Sequence, residues 1–451
     1  MKKKLLSALL ATAMTATLLA GCGSKPAETT APDAASTEAA TEAGEDTAAA
    51  PTGEAVTLKT VSMFGGTDPN ASVYEEIIAK FQEENPNVTV EDSSAVADNE
   101  CKASVVADFS VGNEPDVLQF FTDAQATNLV ATDKLVSIEE IRAEYPDYAK
   151  DTLETALAGV TNTDGVQRAV PTTGFSEVLY CNKDLFDQYG LELPTDWDSL
   201  TTAVTTFKEN GIIPIAVSLN NIPHYWIEAC ILYSAGLDSY QSLPETAPAE
   251  WVAGLETFKT LRDMGAFPED TDTVDNDYVG ELFKSKQAAM QLDGTWYAGG
   301  IEDKENTVAV AFPGVANQKA EAGTITSGFS SGFYITRKAW DDPAKRDAAV
   351  KFVMAQTSKE AVSAYWAKGG FVNKCATEVS TTETLTPLAQ SIADVNAAAG
   401  NNFAGPIDSR MDAEAFTNIV NSICDISTGS ASAEDVLNDA LALSASRVAA
   451  E

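Results

Sequence analysis

One histidine, His224, stands in 451 residues. Zinc and copper sites draw on several His or Cys side chains, so a transition-metal centre lacks its ligands here. A Ser-His-Asp triad would have to use that same residue, inside Ile222-Pro223-His224-Tyr225-Trp226, and no Gly-x-Ser-x-Gly turn accompanies it. No phosphate-cradling Gly-x-x-x-x-Gly-Lys-Ser/Thr and no strand-linked Gly-x-Gly-x-x-Gly occurs, so no nucleotide or other cofactor is implied. Positive charge is scarce as well, with 29 Lys and Arg against 67 Asp and Glu. A nucleic-acid partner is excluded on that ground, because phosphate binding needs clustered bases. The acidic run Asp270 to Asp277 invites a calcium reading, but Val274 and Val279 break the alternating oxygen register of an EF-hand loop, which leaves a solvated acidic loop.

Cysteine is sparse too. Apart from Cys22, the thiols are Cys101, Cys181, Cys230, Cys375 and Cys424, an odd number at spacings that match no zinc or Cys-x-x-Cys pattern. They read as small buried apolar residues, with no disulfide framework required.

Long apolar runs are confined to the start. Lys2, Lys3 and Lys4 precede the run Leu5 to Ala20, which is short for a membrane span. Leu19-Ala20-Gly21-Cys22 ends it and resembles a bacterial lipobox, in which the thiol of Cys22 is lipidated and becomes the mature N-terminus. Residues 1–22 are thus read as a lipoprotein signal peptide, and residues 23–55, rich in Ala, Thr, Glu, Asp and Pro, as a disordered tether. Such a tether reaches about 30 Å. The expected location is the extracellular face of the bacterial cytoplasmic membrane, with the lipid as anchor. Loss of the three signal lysines leaves 26 bases and a net charge of −41, which suits solubility at a cell surface.

The 396 residues beyond the tether suffice for two domains. Strand patterns at Val56–Phe64, Val88–Glu91 and Asp116–Phe121 alternate with helical patterns at Asn70–Asn85 and Cys101–Val111. That order predicts a parallel sheet covered by helices. Further strands are expected at Ile212–Ser218, Ala288–Leu292, Thr307–Phe312 and Gly332–Thr336, and a strand pair or long crossover at Gly165–Asn182. Thr195 reads as the N-cap of a capping box ending at Asp198, and Asp342-Pro343 starts another helix. Phe416, Ile419, Val420 and Ile423 share one helical face, and Ser432 to Asp435 opens a last helix. The fold class is α/β with a helical C-terminal tail.

Aromatic and short polar side chains gather where strands end. Phe64 to Asp68 follows the first strand, Phe121 and Asp123 the third, Tyr225-Trp226 opens a helix, and Asp293-Gly294-Thr295-Trp296 follows a later strand. Ligands of open α/β sheets bind at the carboxyl ends of strands. Flat rings there suit the apolar faces of sugars, and Asp and Thr between them suit hydroxyls.

Several segments together resemble the family 1 extracellular solute-binding proteins of ABC importers, the maltose-binding-protein-like carbohydrate binders. They are YEEIIAKFQEENPNVTVE, GVQRAVPTTGFSEVLYCNKDLFDQYGLELPTDWDSL, AAMQLDGTWYAG, GFYITRKAWDDPAKRDAAVKFVMAQTSKEA and the closing Ser-x-Glu-Asp helix, in the family's order over roughly 56–445. The resemblance implies a periplasmic-binding-protein-like fold with two α/β lobes and a ligand cleft between them. Lobe 1 would comprise 56–168 plus 315–372 and lobe 2 175–310 plus 376–451, with crossings near 168–175, 312–315 and 371–375. It implies a carbohydrate ligand, an oligosaccharide, bound by hinge closure and delivered to an ABC importer permease by a membrane-anchored monomer.

Residue by residue, Trp296 matches the family's cleft tryptophan, with Asp293 and Gly294 at the start of its segment. Trp226 matches an aromatic at the helix entry beside Tyr225, Gly66 and Asp68 match the loop after the first strand beside Phe64, and Phe175 matches the crossover into lobe 2. Thr173, Ser331 and Phe371 complete the candidate set with Phe121 and Asp123. The sequence departs from the family at PTTGFSE, where many relatives carry a tyrosine near the proline. Alternatives are the same fold holding a non-sugar solute such as a polyamine, a peptide or a metal, a secreted glycosidase using Asp293 with Asp123, and a surface-adhesion lipoprotein. For the glycosidase there is no second signal, and the chain is read as no enzyme.

Overall fold

The computed structural model describes residues 54–448, apart from positions 67, 97, 98 and 222. The leader, Cys22 and residues 23–53 lie outside the described residues. Ten strands are described: β1 (Val56–Val61), β2 (Val88–Asp92), β3 (Val117–Phe121), β4 (Phe175–Asn182), β5 (Ile213–Ile215), β6 (Ala288–Gly294), β7 (Thr307–Val310), β8 (Ile325–Gly328), β9 (Ser331–Ile335) and β10 (Phe403–Ala404).

They form two sheets, one per lobe. In the first the order is β2-β1-β3-β9, with β1 to β3 parallel and β9 antiparallel on the edge of β3. The β-α-β-α-β order of the sequence predicts this parallel trio. Leu58, Tyr74, Phe81, Val117, Phe333 and Phe352 fill the core beneath it. The second sheet runs β10-β8-β4-β6-β5, and β7 pairs with the far half of β4. Every residue of β4 is buried, as expected of a strand with neighbours on both edges and helices on both faces. Trp251, Leu255, Phe258 and Leu261, at helical spacing, pack against Ile419, Ile423 and Leu437 of the C-terminal helices in this lobe's core.

Three stretches carry the chain between the sheets. Val170 still bridges to Phe333 in the first sheet, while Phe175 opens β4 in the second. Residues 172–174 run against 374–376: the Ala376 amide donates to the Thr172 carbonyl at 2.8 Å and the Gly174 amide to the Lys374 carbonyl at 2.9 Å. The remaining passage lies at 329–330, between β8 in the second sheet and β9 in the first.

That passage differs from the expected one at 312–315. Phe312 and Val315 pack in the second lobe's core, with the Phe312 ring edge-on to Trp226 and Tyr233. The run Ile325-Thr326-Ser327-Gly328 is too short and polar to read as a strand, so residues 315–328 go with the second lobe and not the first.

Two local expectations shift by a residue or two. Asp196, not Thr195, caps the helix Trp197–Glu209, because the Asp196 carboxylate accepts the Ser199 amide at 2.8 Å while the Ser199 hydroxyl accepts the Asp196 amide. β6 also runs on through Asp293 and Gly294, because both still pair with β4, so those residues belong to a strand end and not to a turn. Asp342 caps its helix, with Pro343 at the first position, as the sequence predicts.

Candidate functional site

β6 delivers Asp293 and Gly294 to the rim of the second sheet, and the tight turn Thr295–Gly300 sends successive side chains in different directions. The Thr295 hydroxyl goes inward and donates to the Asn373 side-chain carbonyl at 2.7 Å. Tyr297 goes sideways, its hydroxyl donating to the Gly280 carbonyl at 3.1 Å and its ring meeting Tyr180 and Phe283. Trp296 goes outward and is 44% exposed, high for so large an apolar group. Its ring centroid lies 5.6 Å from Phe175 and 5.9 Å from Tyr225. Three rings, from β4, the turn after β6 and the helix His224–Ala235, therefore share one corner of the second lobe.

Beneath them the corner is acidic. Asp293 is 2% exposed, and its carboxylate accepts the Gly294 amide at 2.8 Å and the Gln291 side-chain amide at 3.2 Å. Burial pushes its carboxyl up to about 7, against the lowering effect of those hydrogen bonds. Glu177 of β4 and Glu228 of the adjoining helix lie buried beside one another, and burial raises both well above the usual carboxylate range. The two carboxyls hydrogen-bond each other, protonated Glu228 donating to Glu177, and Glu228 also accepts from the Asp408 backbone amide. Asp408, on the turn Ile407–Ser409, feels the same crowding and is pushed up to about 6 by burial. The phenol of Tyr225 senses all four carboxyls, so they constitute one electrostatic cluster.

The first lobe faces this corner with the end of β3. The turn Ala124–Ala126, capped by Asp123, packs on the turn Ile407–Ser409. Burial, and then the charge of Asp408 opposite, push Asp123 up to about 7. The Lys102 ammonium lies 4.7 Å above the Phe121 ring, and its charge reaches Asp123, Asp408 and His224. Burial first, and then Lys102, push the His224 imidazole down to about 4, so it is neutral at physiological pH.

The candidate residues thus divide. Phe175, Tyr225, Asp293, Gly294 and Trp296 meet in one place, with Phe121 and Asp123 across from them. Trp226 does not join them: it is 1% exposed and packs against Phe312, because neighbouring helix positions point in different directions and its turn faces the core. Phe64 packs on Tyr74, Phe333 and Tyr365 in the first lobe. Gly66 provides that loop's positive φ, and Asp68 accepts the Asn70 amide at 2.7 Å. Thr173 lies in a crossing and pairs with Cys375, and Ser331 pairs with Phe121 across β3 and β9. Phe371 meets Trp366 edge-on and lines a separate recess with Ala298, Val372 and Leu385.

Glu177, Glu228 and Asp408 escape the sequence reading. The first two had a signal: each is a lone acid in an otherwise apolar element, FSEVLYCN and HYWIEACILYSA. Asp408 had none, because only the fold brings its turn to the corner. Among the described residues, no group of three or more His, Cys, Asp and Glu could hold a metal ion, and no helix is long and apolar enough to cross a membrane.

Among curated proteins, the chain is similar to the sn-glycerol-3-phosphate-binding periplasmic protein of Rhizobium meliloti, 24% identical over 157 residues, a match that spans 34% of this chain and 36% of that protein. Among solved structures it superposes on a chitin oligosaccharide binding protein with TM-score 0.74 and 19% identity, over 86% of this chain and 98% of the other. A structure from a study of xylan utilization by Caldanaerobius polysaccharolyticus gives TM-score 0.72 and 19% identity, over 85% and 99%. These structural likenesses show the periplasmic-binding-protein-like fold of two α/β lobes. The model of the bacterial extracellular solute-binding proteins matches residues 76–395, most of the chain, and the protein belongs to that family.

Proposed function

We propose that the protein captures a carbohydrate, an oligosaccharide, in the cleft between its lobes and delivers it to the permease of an ABC importer. The observation that carries this reading is the half-exposed ring of Trp296, flanked by Phe175 and Tyr225 and hydrogen-bonded to the buried Asp293 carboxylate. Aromatic faces cover the apolar C–H faces of a sugar ring, while buried carboxylates accept from its hydroxyls. The structural relatives named for chitin oligosaccharide and xylan utilization support a sugar as the ligand class.

Binding works by hinge closure. Sugar first rests on the aromatic corner of the second lobe, then Phe121 and Asp123 of the first lobe close over it. The three passages between the sheets, at 172–174, 329–330 and 374–376, supply the hinge. A ligand shifts the open–closed equilibrium only by its differential affinity for the two states. Full reversal from 1:99 to 99:1 takes about 5.5 kcal/mol. At about 25 cal/mol per Å² that corresponds to roughly 220 Å² of apolar surface covered only on closure, which a few rings can provide. The chain acts as a binding monomer and not as an enzyme. Cys22 carries the lipid that holds it at the extracellular face of the membrane, and the acidic tether lets it move to the permease.

A thermal-shift panel of mono- and oligosaccharides on the full mature chain tests the reading. At least one sugar should raise Tm by several degrees and be recovered intact. A panel without any shift overturns it, as does turnover of the sugar. For the anchor, Cys22→Ser should move the protein from the membrane fraction to the medium, and retention in the membrane would refute lipidation at that residue.

A further inference from the structure

Lys102 stands where the two lobes meet. Its helix, Asn99–Val111, is pinned to the first lobe by Val105 and Phe109, both buried against Leu118 and Phe120. Lys102 lies one turn before Val105 on the same face of that helix. Its ammonium sits 4.7 Å above the Phe121 ring, at the end of β3. Two residues beyond that ring, Asp123 caps the turn Ala124–Ala126, and this turn packs on the turn Ile407–Ser409 of the second lobe. Ile407 is fully buried in the second lobe's core and fixes Asp408 in place. One ammonium of the first lobe therefore lies beside a contact that brings together a carboxylate from each lobe.

The charges agree with that placement. Apart from burial, Asp408 feels Lys102 more strongly than it feels Arg410, only two residues along its own chain. Arg410 is turned away, since its guanidinium donates to the Gly405, Pro406 and Tyr240 carbonyls and lies over the Tyr240 ring. After burial, the largest influence on Asp123 is the charge of Asp408 across the contact, and Lys102 opposes it. His224 opens a different element of the second lobe and, burial aside, feels the same ammonium. Without Lys102, the seam would set two carboxylates against each other, and like charges at short range oppose closure. The Phe121 ring aims the ammonium, because a cation is drawn to an aromatic face while its apolar stem packs alongside.

We infer that Lys102 is an interlobe clasp: seated on the Phe121 ring, its ammonium holds the Asp123 turn of the first lobe to the Asp408 turn of the second and biases the ligand-free protein toward closure. The inference rests on the hinge-closure part of the reading above and not on the ligand being a sugar. A ligand then has to supply only the remainder of the closing free energy through its differential affinity for the two states.

Hydrogen exchange and small-angle scattering on the ligand-free mature chain test this. Lys102→Met keeps a stem that packs on Phe121 and removes the charge. Exchange at residues 123–126 and 407–410 should speed about fivefold or more, with the sheets unchanged, and the radius of gyration should grow. Adding Asp408→Asn to that variant removes the carboxylate that Lys102 faced. It should bring exchange at 123–126 back to within about twofold of the parent, because the seam no longer opposes two like charges. Lys102→Gln serves as the second variant should Lys102→Met fail to fold, with the same expectations. Unchanged exchange at both turns overturns the inference. Faster exchange that Asp408→Asn fails to restore also overturns it, since the ammonium would then act within the first lobe alone. Faster exchange with an unchanged radius of gyration overturns the role in closure. A thermal-shift panel without a response to any sugar overturns the sugar reading and leaves the clasp standing, because neither readout here needs a ligand.

Discussion

The indole of Trp296 rests on the backbone of Gly294, so closely that a Cβ on that glycine would lie 2.2 Å from the ring carbons. The glycine is thus what lets the tryptophan fold back over the end of β6, beside Tyr225 and Phe175. Gly294 has an ordinary extended backbone, so alanine fits its φ and ψ without strain. The atom it would strike is the far end of a side chain, which can swing away. Gly294→Ala should therefore leave Tm within a few degrees of the parent while weakening sugar binding about tenfold, or about 1.4 kcal/mol. Calorimetry and thermal unfolding on the same sample separate the two. An unchanged affinity would show that the position of the ring is irrelevant to the ligand.

Trp296 and Tyr297 are neighbours with opposite duties, and paired substitutions should expose the division. Trp296→Ala removes a 44% exposed ring and little packing, so its main effect should be a loss of sugar affinity of tenfold or more. Tyr297→Ala removes a ring packed on Tyr180 and Phe283 and a hydrogen bond to Gly280, and should lower stability by about 3 kcal/mol with affinity nearly kept. Denaturant unfolding alongside sugar titration reads both. The reverse pattern would return Trp296 to the core and take Tyr297 out of it.

Much of this was legible in the sequence because it is local. The 3.6-residue periods, Asp342-Pro343 and the β-α-β-α-β order each depend on residues close in the chain, and the structure realises them. Trp296 and Tyr225 could be marked because aromatic residues sit at an element's end. What failed to show depends on pairing partners far away. β8 is a strand only because β4 and β10 flank it, so Ile325-Thr326-Ser327-Gly328 carries no strand pattern of its own. Asp408 joins the corner through a turn more than a hundred residues from β6, and nothing in Ile407-Asp408-Ser409 announces that. Trp226 misled because a helix entry offers two adjacent aromatics, and only the packing of Phe312 decides which one turns inward.

Gly174 should mark a mechanical limit of the hinge. A Cβ there would come within 2.3 Å of the Gly328 carbonyl oxygen and 2.9 Å of the Phe329 ring. The first of these is backbone, in the stretch where the chain passes back to the first sheet, and cannot swing aside as the Trp296 ring can. Gly174→Ala should lower Tm by several degrees and change the extent of closure, seen as an altered difference in radius of gyration with and without sugar. If Tm and the scattering difference both match the parent, then the two crossings have room to part and this contact does not restrain them.

The buried acids give the stability of the ligand-free protein a pH dependence whose sign can be worked out. Their folded values are raised: Asp293 and Asp123 to about 7 and Asp408 to about 6, with Glu177 and Glu228 raised as well, burial being the leading cause in each. In the unfolded chain the same groups titrate near ~4. Between those limits the folded state holds more protons, so its stability is fully present below about pH 4 for these groups and is lost as pH rises through about 6 to 8. Ligand-free protein should consequently unfold at a lower temperature at pH 8 than at pH 5. The overall negative charge works in the same direction, so the comparison that isolates the cluster is with Glu228→Gln. That variant deletes one of two facing carboxyls and supplies an amide that can donate to Glu177. Its Tm should fall less between pH 5 and pH 8 than the parent's, and at pH 8 it should exceed the parent's. Parallel curves for the two proteins would mean that Glu228 keeps its proton throughout the range and contributes nothing to the slope.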